Sequence, residues 1–157
     1  MKNGEFIRIK IIQPFKIKNS IFRKLYHMNM INHPDKCPFC NLDSDRNVLC
    51  KSQYAYAIYD KYPVSKGHVL IIPVRHCPDF FNLNEDEQAD CLFILNTVKK
   101  IIENTFSPDG YNVGININEH AGQTIPHAHI HLIPRYKGDV ESPRGGIRGV
   151  IPDKRDY

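Results

Sequence analysis

The stretch HAHIHLIPR, residues 127–135, sets three histidines on alternate positions, His127, His129 and His131, and follows them with apolar residues, a proline and an arginine. Alternation is the period of a β-strand, in which residues i, i+2 and i+4 point to one face. With Ile130, Leu132 and Ile133 supplying the apolar character, the pattern predicts a strand over 128–133. Its three imidazoles share a face, successive rings about 6.6 Å apart along the strand. Rings at that separation can converge on one small group.

Working outward, YNVGINI (111–117) alternates as another strand, and NEHAGQTIP (118–126) connects the two as a loop. YAYAIYD (54–60) and HVLIIPV (68–74) read as a strand pair joined through KYPVSKG, whose proline and glycine make a turn. Asn84 is a good helix N-cap, and the acidic residues after it suit the positive end of a helix dipole. From there Cys91, Leu92, Leu95, Val98, Lys99 and Ile102 mark an amphipathic helix to about Asn104, ended by SPDG. The tail SPRGGIRGVIPDKRDY is rich in glycine and proline and is expected to be mostly irregular. Antiparallel strands, about five of them, covered on one side by a single long helix make an α+β layer structure. The histidines then belong to the open face.

A chain of 157 residues with 41% hydrophobic content suits one compact domain. No apolar run approaches the roughly 20 residues that span a bilayer, and the charges of MKNGEFIRIK interrupt any signal-peptide core. A cytoplasmic protein without a membrane partner is expected. Five cysteines are an odd number, and the CPFC of Cys37 and Cys40 fits metal or redox chemistry better than a secreted disulfide framework. The net charge of +4 is unevenly spread: residues 1–36 hold eight Lys and Arg against Glu5 and Asp35, and the remainder thirteen against fifteen acids. This divides the chain into a basic N-terminal extension, 1–36, and a domain, 37–157. The segment FIRIKI is expected to dock on that domain with its charges toward water. The extension lacks the interleaved aromatic platform that reads single strands, having only Phe6, Phe15, Phe22 and Tyr26, widely spaced. A nucleic-acid partner is therefore not expected.

A neutral imidazole, with an ordinary pKa of about 6.5, is a good nucleophile near neutral pH and can form a covalent intermediate at phosphorus or carbon. At phosphorus, flanking groups must neutralise the non-bridging oxygens, because positioning and electrostatics supply most of the catalysis. Asn116, Gln123 and Thr124 are uncharged donors suited to phosphate oxygens, and equally ordinary residues of turns and loops. Alternate histidines on a strand can also ligate zinc with an open position for water. Spacing alone leaves catalysis, metal binding and a chance polar face open.

GQTIPHAHIHLIPR resembles the signature of the histidine triad superfamily, and GHVLIIPVRH resembles its other characteristic segment, in the same order and spacing; the likeness runs from about Cys37 to Arg135. It implies the histidine triad fold and a nucleotidyl hydrolase in which His129 attacks the α-phosphorus of a purine nucleotide. It further implies that His131 hydrogen-bonds the α-phosphate, that Asn116, Gln123 and Thr124 contact phosphates, that His68 supports the triad and that Asp60 binds the ribose hydroxyls. The tail RYKGDVESPRGGIRGVIP resembles that of family hydrolases acting on diadenosine tetraphosphate, which points to a dinucleoside polyphosphate as substrate. Arg144 or Arg148 would then reach the outer phosphates or simply hold the loop. A similar branch carries a structural zinc, for which Cys37, Cys40, His76 and His127 are the candidate ligands; none is implied for the chemical step. Cys50, Cys77 and Cys91 read as small apolar residues. The resemblance also implies a homodimer whose strands form one continuous sheet. The alternatives are a nucleoside phosphoramidase using the same residues and, in another class, a non-catalytic nucleotide sensor or a nucleic-acid-binding module using the basic arm.

Overall fold

Two short apolar runs, Ala55–Tyr59 (β2) and Val69–Pro73 (β3), pair antiparallel with Ala55 opposite Pro73 and Tyr59 opposite Val69. They form the centre of a computed structural model that describes residues 37–42 and 47–156. The extension 1–36, and with it the FIRIKI strand and its docking, lies outside the described residues. All of β3 and the first four residues of β2 are buried, so both faces of this hairpin are covered. Gly67, at the end of its turn, has φ +83°, and a Cβ there would lie 2.8 Å from the Phe106 ring, so the turn needs glycine on both counts.

Three further strands, Val48–Lys51 (β1), Gly110–Gly114 (β4) and Ile130–Arg135 (β5), complete an antiparallel sheet of order β1-β2-β3-β5-β4 among the described residues. The helix Glu85–Phe106 (α1) lies on one face. Its start is set by a capping box: Asn84 accepts from the Glu87 N–H while the Glu87 side chain accepts from the Asn84 N–H. It ends at Phe106, two residues beyond the expected Asn104, where Ser107 enters the left-handed region at φ 48°. Cys91, Ile94, Val98 and Ile102 bury against Ala55, Ala57, Val69, Ile71, Ile130 and Leu132. Each large side chain so buried stabilises by about 1.5–3 kcal/mol. The stripe differs from the expected one: Leu92 is 52% exposed, and Lys99 pairs with Glu103 on the surface. At about 100° per residue, Ile94 and Cys91 hold the inner face and Leu92 turns outward.

The open face carries a second apolar cluster, Tyr56, Ile58, Leu70 and Ile72 under Cys37 and Phe39. Strand β5 starts two residues later than expected and runs on through Pro134 and Arg135, while β4 stops at Gly114 rather than continuing to 117. The causes are linked. Gly114 is opposite His131, and beyond it the chain of His127–His129 leaves the ladder to bond elsewhere, so residues 115–117 have no strand beside them. β1 has no counterpart in the sequence reading, being four residues with no clear alternation. The tail forms two 3-10 turns, Gly146–Val150 and Pro152–Lys154.

Candidate active site and metal cluster

His129 and His131 lie on the open face, as the alternation requires, although only His131 is inside β5. Cross-strand partners share a face: His131 is opposite Leu70, which belongs to the open-face cluster, while Ile130 and Leu132 point to the helix. The two rings meet at 4.9 Å between centroids. His129 is buried, and its Nδ1 donates to the His127 carbonyl at 2.8 Å. A carbonyl can only accept, so Nδ1 carries the proton and Nε2 of the neutral ring keeps a free lone pair.

His68, just before β3, places its Nε2 3.0 Å from His131 Nδ1. One ring donates and the other accepts, so a single proton sits between them. Burial lowers the His68 pKa against an upward pull from Asp60, whose carboxylate stands 3.4 Å from His68 Nδ1. Burial, then repulsion from His129 and His68, pushes His131 down to about 4, again against Asp60. Both rings are therefore neutral donors and acceptors near neutral pH. Asp60 also accepts from the Tyr62 N–H at 2.9 Å, which fixes its carboxylate at the mouth of the loop.

His127 does something else. Its Nε2 donates to the Pro73 carbonyl at 2.9 Å, so its lone pair is on Nδ1. That atom stands 3.4 Å from Cys37 Sγ, 3.5 Å from Cys40 Sγ and 3.3 Å from His76 Nδ1, and Cys40 Sγ is 3.3 Å from His76 Nδ1. Bonds of 2.0–2.1 Å from nitrogen to a tetrahedral zinc imply an N···N edge of about 3.3 Å. The four donors are spaced to hold one metal ion, and their two thiols and two imidazoles are a zinc-type set. Metal-free, the Cys40 thiol is pushed up to about 12 by burial and by its neighbour Cys37. A divalent cation removes that penalty by stabilising the thiolate.

The HIT domain family matches residues 41–138. The chain belongs to the HIT family. One HIT relative is the asymmetrical bis(5'-nucleosyl)-tetraphosphatase of Schizosaccharomyces pombe, 35% identical over 68% of this chain and 58% of its own length. A HIT-like protein of Methanocaldococcus jannaschii is 36% identical over 75% of this chain and 94% of its own. The chain spans about half the length of the named enzymes among its curated relatives. The crystal structure of a Zn-bound histidine triad family protein from Mycobacterium smegmatis superposes with a TM-score of 0.62 at 28% identity, over 68% of this chain and 80% of that one.

Within this HIT domain the residues expected from sequence fall into three groups. Asp60, His68 and His131 are gathered in one place with the His129 ring against His131, and Cys37, Cys40, His76 and His127 in another immediately beside it. Asn116 and Thr124 lie in the segment between β4 and β5, and among the described residues neither side chain is tied to a protein partner. Gln123 is spent: its carbonyl oxygen accepts from the Asn118 N–H and its amide donates to the Pro78 carbonyl, both at 2.8 Å. Arg148 is spent as well, donating to the carbonyls of Lys154 and Arg155, and so acts as a clasp of the tail. Arg144 is exposed.

Sequence reasoning missed Phe39. Its ring packs edge-on to His129 at 5.2 Å and His127 at 5.8 Å, a hydrophobic wall delivered by the same turn that presents the two cysteines. The available signal was its place inside CPFC. Missed too was the pairing of Arg75 with Glu87, 2.7 and 2.6 Å on the two carboxylate oxygens. Burial opposes the Glu87 charge, but Arg75 and the Asn84 N–H outweigh it and hold the carboxyl below its ordinary pKa. The segment Pro73–Pro78 is thus a hub: its carbonyls hold His127, Ala128 and Gln123, while Arg75 ties it to the start of α1. Among the described residues no helix is long and apolar enough to cross a membrane.

Proposed function

We propose that the domain 37–157 is a nucleotidyl hydrolase that cleaves at the α-phosphorus of a purine nucleotide, a dinucleoside polyphosphate being the substrate class. The observation that carries this reading is the hydrogen bond from His129 Nδ1 to the His127 carbonyl, which leaves Nε2 as the attacking lone pair. His129 Nε2 bonds to phosphorus as the bond to the leaving phosphate oxygen breaks. Water then attacks the nucleotidyl-histidine, its proton is lost to solvent, the P–N bond breaks, and a nucleoside monophosphate departs. His131, neutral and fixed by His68, hydrogen-bonds the phosphate, and Asn116 and Thr124 offer uncharged donors to its oxygens. Asp60 accepts from the ribose hydroxyls. The name of the fission-yeast relative supports the substrate class.

Zinc is the metal proposed for Cys37, Cys40, His76 and His127, in keeping with the Zn-bound relative. When bound, it supplies a closed structural link between the Cys37–Cys40 turn and the histidine run, and takes no part in bond breaking. A homodimer is proposed through the outer edge of β4, which is unpaired among the described residues and carries the 43% exposed Val113.

The test is a turnover comparison of diadenosine tetraphosphate, diadenosine triphosphate and adenosine phosphoramidate. Adenosine monophosphate should form from the dinucleotides, and quenched reactions should show one nucleotidyl group on His129. Preference for the phosphoramidate makes the enzyme a phosphoramidase. Binding without turnover makes it a sensor.

A further inference from the structure

The tail beyond β5 is the part of the chain to which neither the histidines nor the metal cluster gives a role. Its course is set by Arg135, the last residue of β5, whose guanidinium grips Asp139 through Nε at 2.7 Å and Nη2 at 2.8 Å and reaches Asn112 of β4 through Nη1 at 2.6 Å. Asp139 also accepts from the Tyr136 N–H, which closes a turn and sends the chain back over β4. The returning residues come to rest on the histidine face. Tyr111 packs with the helix-side cluster, so Asn112 and Gly114 face the other way, and Gly114 is the partner of His131. A Cβ at Gly146 would lie 3.5 Å from the Asn112 amide, and one at Gly114 would lie 3.8 Å from Ile147 Cδ1. Ile147 therefore sits over Gly114, the residue directly across the ladder from His131, and cross-strand partners are about 5 Å apart.

The sheet order then gives the open face a layout. The apolar cluster of Phe39, Ile58 and Leu70 lies over β2 and β3, the histidines over β5, and the tail over β4. With the nucleoside over Asp60 and the Phe39 cluster, as in the hydrolase reading, the group leaving phosphorus at His129 would extend the other way, toward β4 and the tail. Ile147 is 52% exposed although it packs on the sheet, so it presents apolar surface upward beside the reacting histidines. The tail is also stiff where it matters. Arg148 clasps it, and Gly145, at φ +81°, has no room for a side chain because a Cβ would meet the Arg155 carbonyl oxygen at 2.5 Å.

We propose that this double turn is the leaving-group wall of the site, and that Ile147 is a specificity-determining residue that contacts the distal nucleoside of a dinucleoside polyphosphate. The inference rests on the hydrolase reading above. A large planar base gains from resting on an exposed, rigidly held isoleucine, whereas a leaving group of a few atoms does not extend that far.

The experiment measures kcat/KM for diadenosine tetraphosphate and for adenosine phosphoramidate, whose leaving group is ammonia, in the full chain and three variants. Ile147→Ala removes the contact, Gly145→Ala unseats the turn, and truncation after Asp139 removes it. The expected result is a fall of about tenfold or more for the dinucleotide in Gly145→Ala and the truncation, a smaller fall in Ile147→Ala, and less than about a twofold change for the phosphoramidate. Equal falls for both substrates, or an unchanged ratio, would overturn the wall. Should the truncation fail to fold, Ile147→Ala, a change at an exposed side chain, still decides the ratio. A wild-type chain that turns over neither compound overturns the hydrolase reading itself and this inference with it.

Discussion

His127 and His129 are two residues apart on one chain and side by side in space, yet each gives up a different nitrogen to the backbone. His127 donates Nε2–H to Pro73 and turns Nδ1 toward two cysteines; His129 donates Nδ1–H to His127 and leaves Nε2 without a protein partner among the described residues. The residue type is the same, and the carbonyl each ring finds decides its work. A histidine's role is therefore written in its second nitrogen, and two neighbouring imidazoles are kept from exchanging roles by two hydrogen bonds.

The sharpest way to break this comparison is His129→Ala. If the free Nε2 is the nucleophile, turnover should fall by about a thousandfold or more, with melting temperature and nucleotide binding nearly unchanged. Retention of several per cent of activity would mean that the two histidines are not divided as described. On the other side of the comparison, Cys37→Ser or His127→Ala should release the metal. Purified wild type should hold about one zinc per chain, and each variant much less. The expected cost is about 3 kcal/mol, a fall in melting temperature of about 6–12 °C, with turnover reduced less than stability. Metal analysis finding no zinc in protein prepared without chelators would return the cluster to ordinary packing.

The contrast between tied and free polar atoms extends to the loop. Asn116→Ala should lower kcat/KM by about tenfold, the loss of one hydrogen bond to a charged oxygen, and leave stability alone. Gln123→Ala should do the reverse, costing about 1 kcal/mol of stability because it removes the brace between Asn118 and Pro78. If Gln123→Ala instead spares stability and cuts turnover, its side chain swings into the site when substrate binds.

The smallest effect concerns acid. The His131 ring takes a proton near its ordinary pKa when unfolded but only at about 4 when folded, so between those values the unfolded chain binds more protons. The stability lent by the neutral ring is complete above about pH 6.5 and is lost as the pH falls toward 4. Urea midpoints at pH 7 and pH 5 should differ less in His131→Gln than in wild type. Equal differences would show that His131 is not held neutral.

What sequence made legible follows from periodicity and what it left out follows from contact at a distance. The period of two in HAHIHLIPR places the rings on one face, Asn84 marks the helix start, and CPFC with two histidines gives a candidate ligand set through the family resemblance. The strand limits were misread because Ala128 bonds to the Cys77 carbonyl instead of a ladder partner, a contact spanning about fifty residues that no local pattern carries. That Gln123 is tied to Asn118 and Pro78 is likewise invisible in sequence, because residue type does not show which polar groups a distant segment binds. Leu92 fits the apolar stripe by type yet is exposed, because hydrophobicity does not distinguish the two flanks of a helix stripe.

The Arg75–Glu87 pair has a dynamic consequence. Glu87 belongs to the first turn of α1, whereas Arg75 belongs to the segment whose carbonyls receive His127 and Ala128, so neither can open without disturbing the other. Helix start and histidine run should form one cooperative unit in deuterium exchange. The Ala128 and Glu87 amides, one just before His129 and one in the helix cap, should lose protection together and at the same denaturant dependence. Glu87→Gln, with the carboxylate charge gone and the capping bond weakened, should speed exchange at Ala128 although that amide touches neither partner. His129 is then only as still as the far end of a helix cap permits.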